Sequence, residues 1–169
     1  MSSTIAAELR DGTWTVPATG TTATFAARNF GVLTVRGTLA VETGTLTVAG
    51  GRPVTAEGTL TAASVATGNP RRDGHLRSAR FLAATEHPAL RLRALRFEPA
   101  DGGWTVPATI TVHGVETPIT LYAQQLPSSD GVRVRITGEL DRTTTAIRAP
   151  RLMVGHRIQV EADLTFTRS

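Results

Sequence analysis

The sequence predicts an all-β domain of long antiparallel strands, and three observations carry that prediction. Apolar residues recur at every second position through most of the 169 residues, the period of a strand with one buried and one wet face. Thr, Val, Leu and Ala supply most of the bulk while aromatics are 5%, a mixture that favours strands. Short clusters of Gly, Pro, Asp and Ser separate the runs as turns do, and no strand–helix alternation of a parallel sheet is visible.

Taken in order, residues 1–10 read as a flexible arm, and residues 11–169 as one domain. Asp11-Gly12 turns the chain into a short strand at Trp14 and Val16, which Pro17 ends or marks as an edge. Alternation resumes at Ala23, Phe25 and Ala27 and bends at 28–31. It then runs through Leu33, Val35, Gly37, Leu39 and Val41 against Thr34, Arg36, Thr38 and Glu42. A bulge at Thr43-Gly44 leads into Leu46 and Val48. The hairpin loop 49–53 returns the chain through Val54, Ala56, Gly58, Leu60 and Ala62.

Leu90 and Leu92 fall out of phase with Leu95 and Phe97, which predicts a bulge near Ala94. Trp104, Val106, Ala108, Ile110 and Val112 form the next row, and His113-Gly114 turns into Ile119, Leu121 and Ala123. The last two rows are Val132 to Leu140 and Ile158 to Phe166, joined by the less regular 141–155. Trp14 and Trp104, each near the start of a strand, read as core or rim anchors.

Only residues 66–88 break this pattern at length. Asn69 is a good N-cap and Pro70 a good first helical residue, so a short helical plug is expected around residues 69–86. Leu76, Phe81 and Leu82 are spaced to point one way and the arginines mostly another. Eight to ten strands with one apolar face each leave a two-sheet sandwich or a closed barrel. A barrel of eight strands is either filled or holds one small ligand.

Composition excludes whole classes of function. There is no cysteine, which removes disulfides, thiolate metal sites and thiol nucleophiles. All 18 basic residues are arginine for a net charge of +4; they are scattered along strands among acidic residues, without the basic, aromatic-bearing stripe of a nucleic-acid binder. The first twelve residues lack a basic start and an apolar core, and no run is long enough to span a membrane. The expectation is a cytoplasmic chain with no integral membrane segment. No histidine spacing forms a metal signature, so no metal and no cofactor are expected.

Thr67-Gly68-Asn69, Arg72-Asp73, His75-Leu76-Arg77-Ser78, Phe81 and Pro88 together resemble the most distinctive motif of the YceI-like family. Trp14-Thr15-Val16, Phe25, 28–31, Val35-Arg36-Gly37 and His113-Gly114-Val115 with Pro118 fall in the family's order. The sequence departs from the family at Gly20 and Asn29, where histidines are frequent, and at Arg80 and Leu82 within the motif. The resemblance implies a single antiparallel eight-stranded, extended lipocalin-like β-barrel. Its tunnel would hold an isoprenoid, such as a quinone tail or a polyprenyl phosphate, for carriage or sequestration.

On that implication Phe25, Leu92 and Ile110 line the tunnel, and Leu76, Phe81 and Leu82 close one end. Arg28, Arg36, Arg72 and Arg77 are the candidate head-group contacts, because guanidinium forks pair with phosphate oxygens, although each is as well explained by a neighbouring carboxylate or by water. Asp73 is the obvious partner for Arg72 or Arg77. Asn69, Asp73, His75 and His113 are structural residues of the motif, with no catalytic residue expected. The alternatives are an isomerase or cyclase using Asp73, His75 or Glu86, and a stress-response module with a filled core. A homodimer through exposed edges is a further expectation.

Overall fold

The computed structural model describes residues 9–17, 21–29, 33–78, 82–127, 131–141 and 157–168, without the side chains of 27–29, 33–34 and 141. The chain runs through β1 (Gly12–Thr15), β2 (Thr22–Asn29), β3 (Leu33–Ala49), β4 (Arg52–Ala66), helix α1 (Pro70–Arg77), β5 (Ala89–Ala94), β6 (Glu98–Ala100), β7 (Gly103–Val112), β8 (Val115–Leu126), β9 (Val132–Asp141) and β10 (Arg157–Arg168). Antiparallel pairing orders them β10, β2, β3, β4, β5, β7, β8, β9. The last of these pairs back onto β10, from Asp141↔Arg157 to Val132↔Phe166, which closes an eight-stranded barrel. Closure removes the long unpaired edges that an open sheet would leave. β6 pairs with β7 alone, and β1 lies across one end against β3 and β10.

The alternating rows become the inner wall. Val106, Ala108, Ile110 and Val112 on β7, and Ile119, Leu121 and Ala123 on β8, are all buried. Tight turns fix the registers. His113 (φ 52°) and Gly114 (φ 75°) form a two-residue turn with Val112 opposite Val115, and Gly50 (φ 64°) and Gly51 (φ 74°) do the same between Ala49 and Arg52. Both central residues in the left-handed region give the turn whose twist suits a hairpin.

Two local expectations change. The shift between Val41 and Thr43 is the bulge read from Thr43-Gly44, and it moves the inner row of β3 to Gly44, Leu46 and Val48. A second shift at Thr47/Val48 turns Val54 outward, 44% exposed, and buries Pro53 instead. Near Ala94 the pairing with β7 is interrupted and resumes one residue out of step, Ala94 opposite Ala108 and then Glu98 opposite Thr105, which is the irregularity expected there. Leu95 donates its N–H to the Pro107 carbonyl at 2.8 Å and stands 53% exposed, while Phe97 turns back into the core.

Two apolar clusters occupy the interior. One runs along the barrel, from Ala62, Val65, Leu82, Leu90, Val112 and Leu140 near the helix to Ala123 and Trp104 at the far end of β7 and β8. The other, beneath β1, gathers Trp14, Val16, Val41, Leu46, Val48, Val132 and Phe166. Leu9, within the expected arm, packs on the second cluster, and Trp14 Nε1 donates to the Arg10 carbonyl at 2.9 Å. The rest of that arm, 1–8, lies outside the described residues.

Candidate ligand-binding site

Inward side chains at the two ends of the barrel are tightly buried, with Val132 and Val112 each 1% exposed. Midway along it, Phe25, Leu60, Leu92, Ile136, Val160 and Leu164 also point inward, yet each keeps accessible surface. Inward side chains with accessible surface mark free space within the wall. A cavity of about 180 Å³ lies there, bounded by those residues together with Ala23, Leu39, Val41, Ala56, Val106, Ile110, Leu121 and Ala162. The surface facing it is apolar. Its only charged borders among the described residues are Glu57 and Glu161, and no arginine lines it.

One level of the barrel differs from the rest. Gly37, Phe25, Val160, Gly138, Leu121 and Val106 are successive cross-strand partners on β3, β2, β10, β9, β8 and β7. The two glycines leave gaps that their neighbours fill. A Cβ on Gly37 would lie 2.5 Å from Phe25 Cζ, and one on Gly138 would lie 2.5 Å from Leu121 Cδ2. Glycine inside a strand permits such close approach. The wall is thin here, and the outer face is indented at the same level by an open groove of mixed polar and apolar character, about 820 Å³. Arg36, Thr38, Thr120, Tyr122, Glu139 and Gln159 border that groove. It is larger than the inner chamber and more open, and its surface mixes polar and apolar groups where that of the chamber is almost wholly apolar.

The helix end is closed by local polar chemistry. Asn69 Oδ1 accepts from the Arg71 and Arg72 N–H groups at 3.1 Å each, and Pro70 opens the helix. Buried Asp73 accepts from Thr67 N at 2.9 Å and Thr67 Oγ1 at 2.6 Å, which ties the helix to the end of β4. Leu76 and Leu82 then pack on the first cluster rather than lining the chamber, with Leu82 N bonded to the Leu76 carbonyl at 3.0 Å. Phe81 and Arg80 lie outside the described residues.

The arginines divide by what they touch. Arg72 Nε donates to Thr67 Oγ1 at 2.9 Å, so it reaches Asp73 only through that hydroxyl, and Arg77 points to the Ala63 and Val65 carbonyls at 3.5 and 3.4 Å. The direct ion pair expected of Asp73 is replaced because Thr67, six residues before it, supplies both a hydroxyl and a backbone donor. Arg36 stands on the outer face, exposed. The Arg28 side chain is outside the described residues.

His75 is exposed, and its carbonyl accepts from Ser78 N and Oγ. His113 meets His87, with ring centroids 5.4 Å apart, and both are half-buried. His156 and the 142–156 connection lie outside the described residues. Neither Asp73 nor His75 borders the chamber, and no group of three His, Cys, Asp or Glu among the described residues is placed to hold a metal ion.

Of the residues expected in the tunnel, Phe25, Leu92 and Ile110 do line the chamber. Leu121, Val160 and the glycines beneath Phe25 and Leu121 were not singled out in the sequence. The signal for them was a glycine inside an otherwise apolar row, at Gly37 and again at Gly138.

Among solved structures, this fold is similar to that of Burkholderia cenocepacia BcnA, with a TM-score of 0.77 at 12% identity, covering 88% of this chain and 98% of that one. It is also similar to a polyisoprenoid binding domain from Saccharophagus degradans implicated in plant cell wall breakdown (TM-score 0.69, 17% identity, 92% and 98% covered). A Campylobacter jejuni YceI protein gives a TM-score of 0.62 at 20% identity, with 70% and 74% covered. At these identities the likeness is one of fold.

Curated relatives match over shorter stretches. A UPF0312 protein of Pectobacterium carotovorum is 32% identical over 72 residues, 43% of this chain and 38% of that protein, and one of Serratia proteamaculans is 35% identical over 66 residues, 39% and 34%. The chain thus spans little more than a third of the length of the curated relatives it matches. The YceI-like domain matches from Trp14 in the cluster beneath β1 to Phe166 at the end of β10, residues 14–166. That match takes in every strand of the closed barrel, and the chain belongs to the YceI-like domain family.

Proposed function

We propose that the barrel binds a neutral apolar molecule of the isoprenoid or related lipid class and carries or sequesters it. The observation that supports this most is the chamber itself: free space in mid-barrel faced by apolar side chains, with tightly buried residues such as Val112 and Val132 toward the two ends. Each methylene moved from water into such a site contributes about 0.8 kcal/mol, so affinity needs no polar chemistry. The Saccharophagus neighbour, a polyisoprenoid binding domain, supports the same reading.

Size and charge narrow the ligand. An apolar protein cavity of about 150 Å³ takes up benzene, so 180 Å³ suits a ring or a short prenyl stretch. Among the described residues a phosphate head would find no cation at the chamber, because Arg72 and Arg77 are spent on Thr67 and on backbone carbonyls and no described arginine lines it. A neutral quinone-like or alcohol head therefore fits better than a polyprenyl phosphate.

Native mass spectrometry of the purified protein, followed by organic extraction, tests the proposal. The expected result is a bound neutral lipid, or stoichiometric uptake of a short-chain quinone by stripped protein. A clean apo spectrum with no uptake of quinones or prenyl alcohols would overturn it.

A further inference from the structure

The outer face of β4, β5 and β7 differs in charge from that of β9 and β10. On β5 the outward row is Arg91, Arg93 and Leu95, all exposed. The arginines lie opposite Thr59 and Glu57 on β4 and Thr111 and Thr109 on β7, and Leu95 N bonds to the Pro107 carbonyl. Val54, 44% exposed, and Arg52, whose guanidinium lies 5.7 Å from the Trp104 ring centroid, follow on β4. Beyond Leu95, Arg96 and Glu98 neutralise each other.

On β9 and β10 the arginines are matched: Arg133, Arg135 and Arg157 pair with Asp163, Glu161 and Glu139. The Arg91 and Arg93 side chains form no ion pair or hydrogen bond among the described residues. Two unpaired guanidiniums beside two exposed aliphatic side chains suit a partner that is anionic at its boundary and apolar just beneath. An anionic bilayer has that layering, and binding to it grows with both apolar contact and charge. Nucleic acid offers the charge without an apolar layer for Val54 and Leu95.

We infer that the outer face of β4, β5 and β7 is a docking surface for anionic membranes. Along β4 this face runs to the helix end, where Arg77 reaches the Ala63 and Val65 carbonyls. Docking therefore brings the helix end beside the lipid. The inference does not depend on what the chamber holds.

The test is co-sedimentation of the whole chain with vesicles of phosphatidylcholine and with vesicles of phosphatidylcholine and phosphatidylglycerol in equal parts. The native chain should bind the mixed vesicles, bind the neutral ones far less, and lose most of its binding in high salt, which screens exposed charges. Each arginine near such a surface contributes about fivefold, so Arg91→Gln with Arg93→Gln should weaken binding by about tenfold or more. Leu95→Gln should give a smaller loss. Arg133→Gln with Arg135→Gln removes the same charge from another wall and should leave binding within about twofold of native.

The inference is overturned if the native chain ignores the mixed vesicles or binds the neutral ones equally well. It is also overturned if the two arginine pairs weaken binding alike, because net charge and not this face would then be the cause. The native lipid and salt series decides the matter should a variant fail to fold. Absence of vesicle binding would leave the chamber reading standing, since uptake of an apolar probe in free solution tests that separately.

Discussion

The barrel closes its two ends by different physics. Beneath β1 the closure is apolar and built into the sheet: Trp14 and Phe166 are 6% exposed, and β1 pairs with both β3 and β10. At the other end the closure is an eight-residue helix outside the sheet, held to β4 by the Thr67–Asp73 bonds and by two leucines. A strand-paired end opens only with the barrel, whereas a docked helix can leave while the sheet stays intact. Sub-global opening of that kind is the ordinary source of ligand exchange. The account therefore predicts that a ligand enters and leaves at the helix end, the door, while the β1 end stays shut as the floor.

The largest expected effect is on the floor. Trp14→Ala should cost about 3–5 kcal/mol, read as a lower urea midpoint, because it removes a buried indole and its bond to Arg10. Leu82→Ala at the door should cost about 2–5 kcal/mol. Its distinguishing effect is faster release of a bound apolar probe in stopped-flow measurements. Equal acceleration of release by the two substitutions would erase the distinction between the ends.

Asp73→Asn leaves the Thr67 donors with a weaker acceptor and should cost about 1–3 kcal/mol. Hydrogen exchange of the α1 amides should rise in this variant while that of β1 and β10 does not.

The smallest effect lies on the outer wall of β9 and β10, away from both ends. There the Arg135 guanidinium, bonded at 3.0 Å, holds the Asp163 carboxyl below the ordinary carboxylate range. The Gly51 N–H, with help from Gly50, does the same for the fully exposed Asp11. Both pKa values are lower in the folded chain than in the unfolded one. Their stabilisation is therefore complete above the unfolded value of about 3.9 and lost as pH falls through the depressed folded values. Thermal melts should show Asp163→Asn flattening part of the slope below about pH 4, with less than about 1 kcal/mol lost at neutral pH.

The two ends were also unequally legible in the sequence. The strands could be read because burial on one face imposes alternation, and the rows from Trp104 to Val112 and from Ile158 to Phe166 face inward as their period requires. Val54 and Leu95 misled because each follows a backbone irregularity, and one extra residue reverses every side chain after it. Asn69 and Pro70 announced the helix because capping is local. The Asp73 partner was missed because charge pointed to arginine while geometry favoured the nearer hydroxyl of Thr67. The packing of Phe25 over Gly37 was out of reach: the meaning of Gly37 depends on which residue β2 sets beside it, and that register is a property of the closed barrel.

The central claim is that the apolar space in mid-barrel is the binding site. Ala162 lines that space between Ala23 and Ile136, so Ala162→Leu fills it without touching either end. The measurement is equilibrium uptake of N-phenyl-1-naphthylamine by the native chain and by Ala162→Leu, with a thermal melt of each. The account predicts stoichiometric uptake by the native chain, little or none by the variant, and a melting temperature for the variant that is unchanged or raised. Equal uptake by a folded Ala162→Leu would contradict it, because the probe would then be bound somewhere other than the chamber.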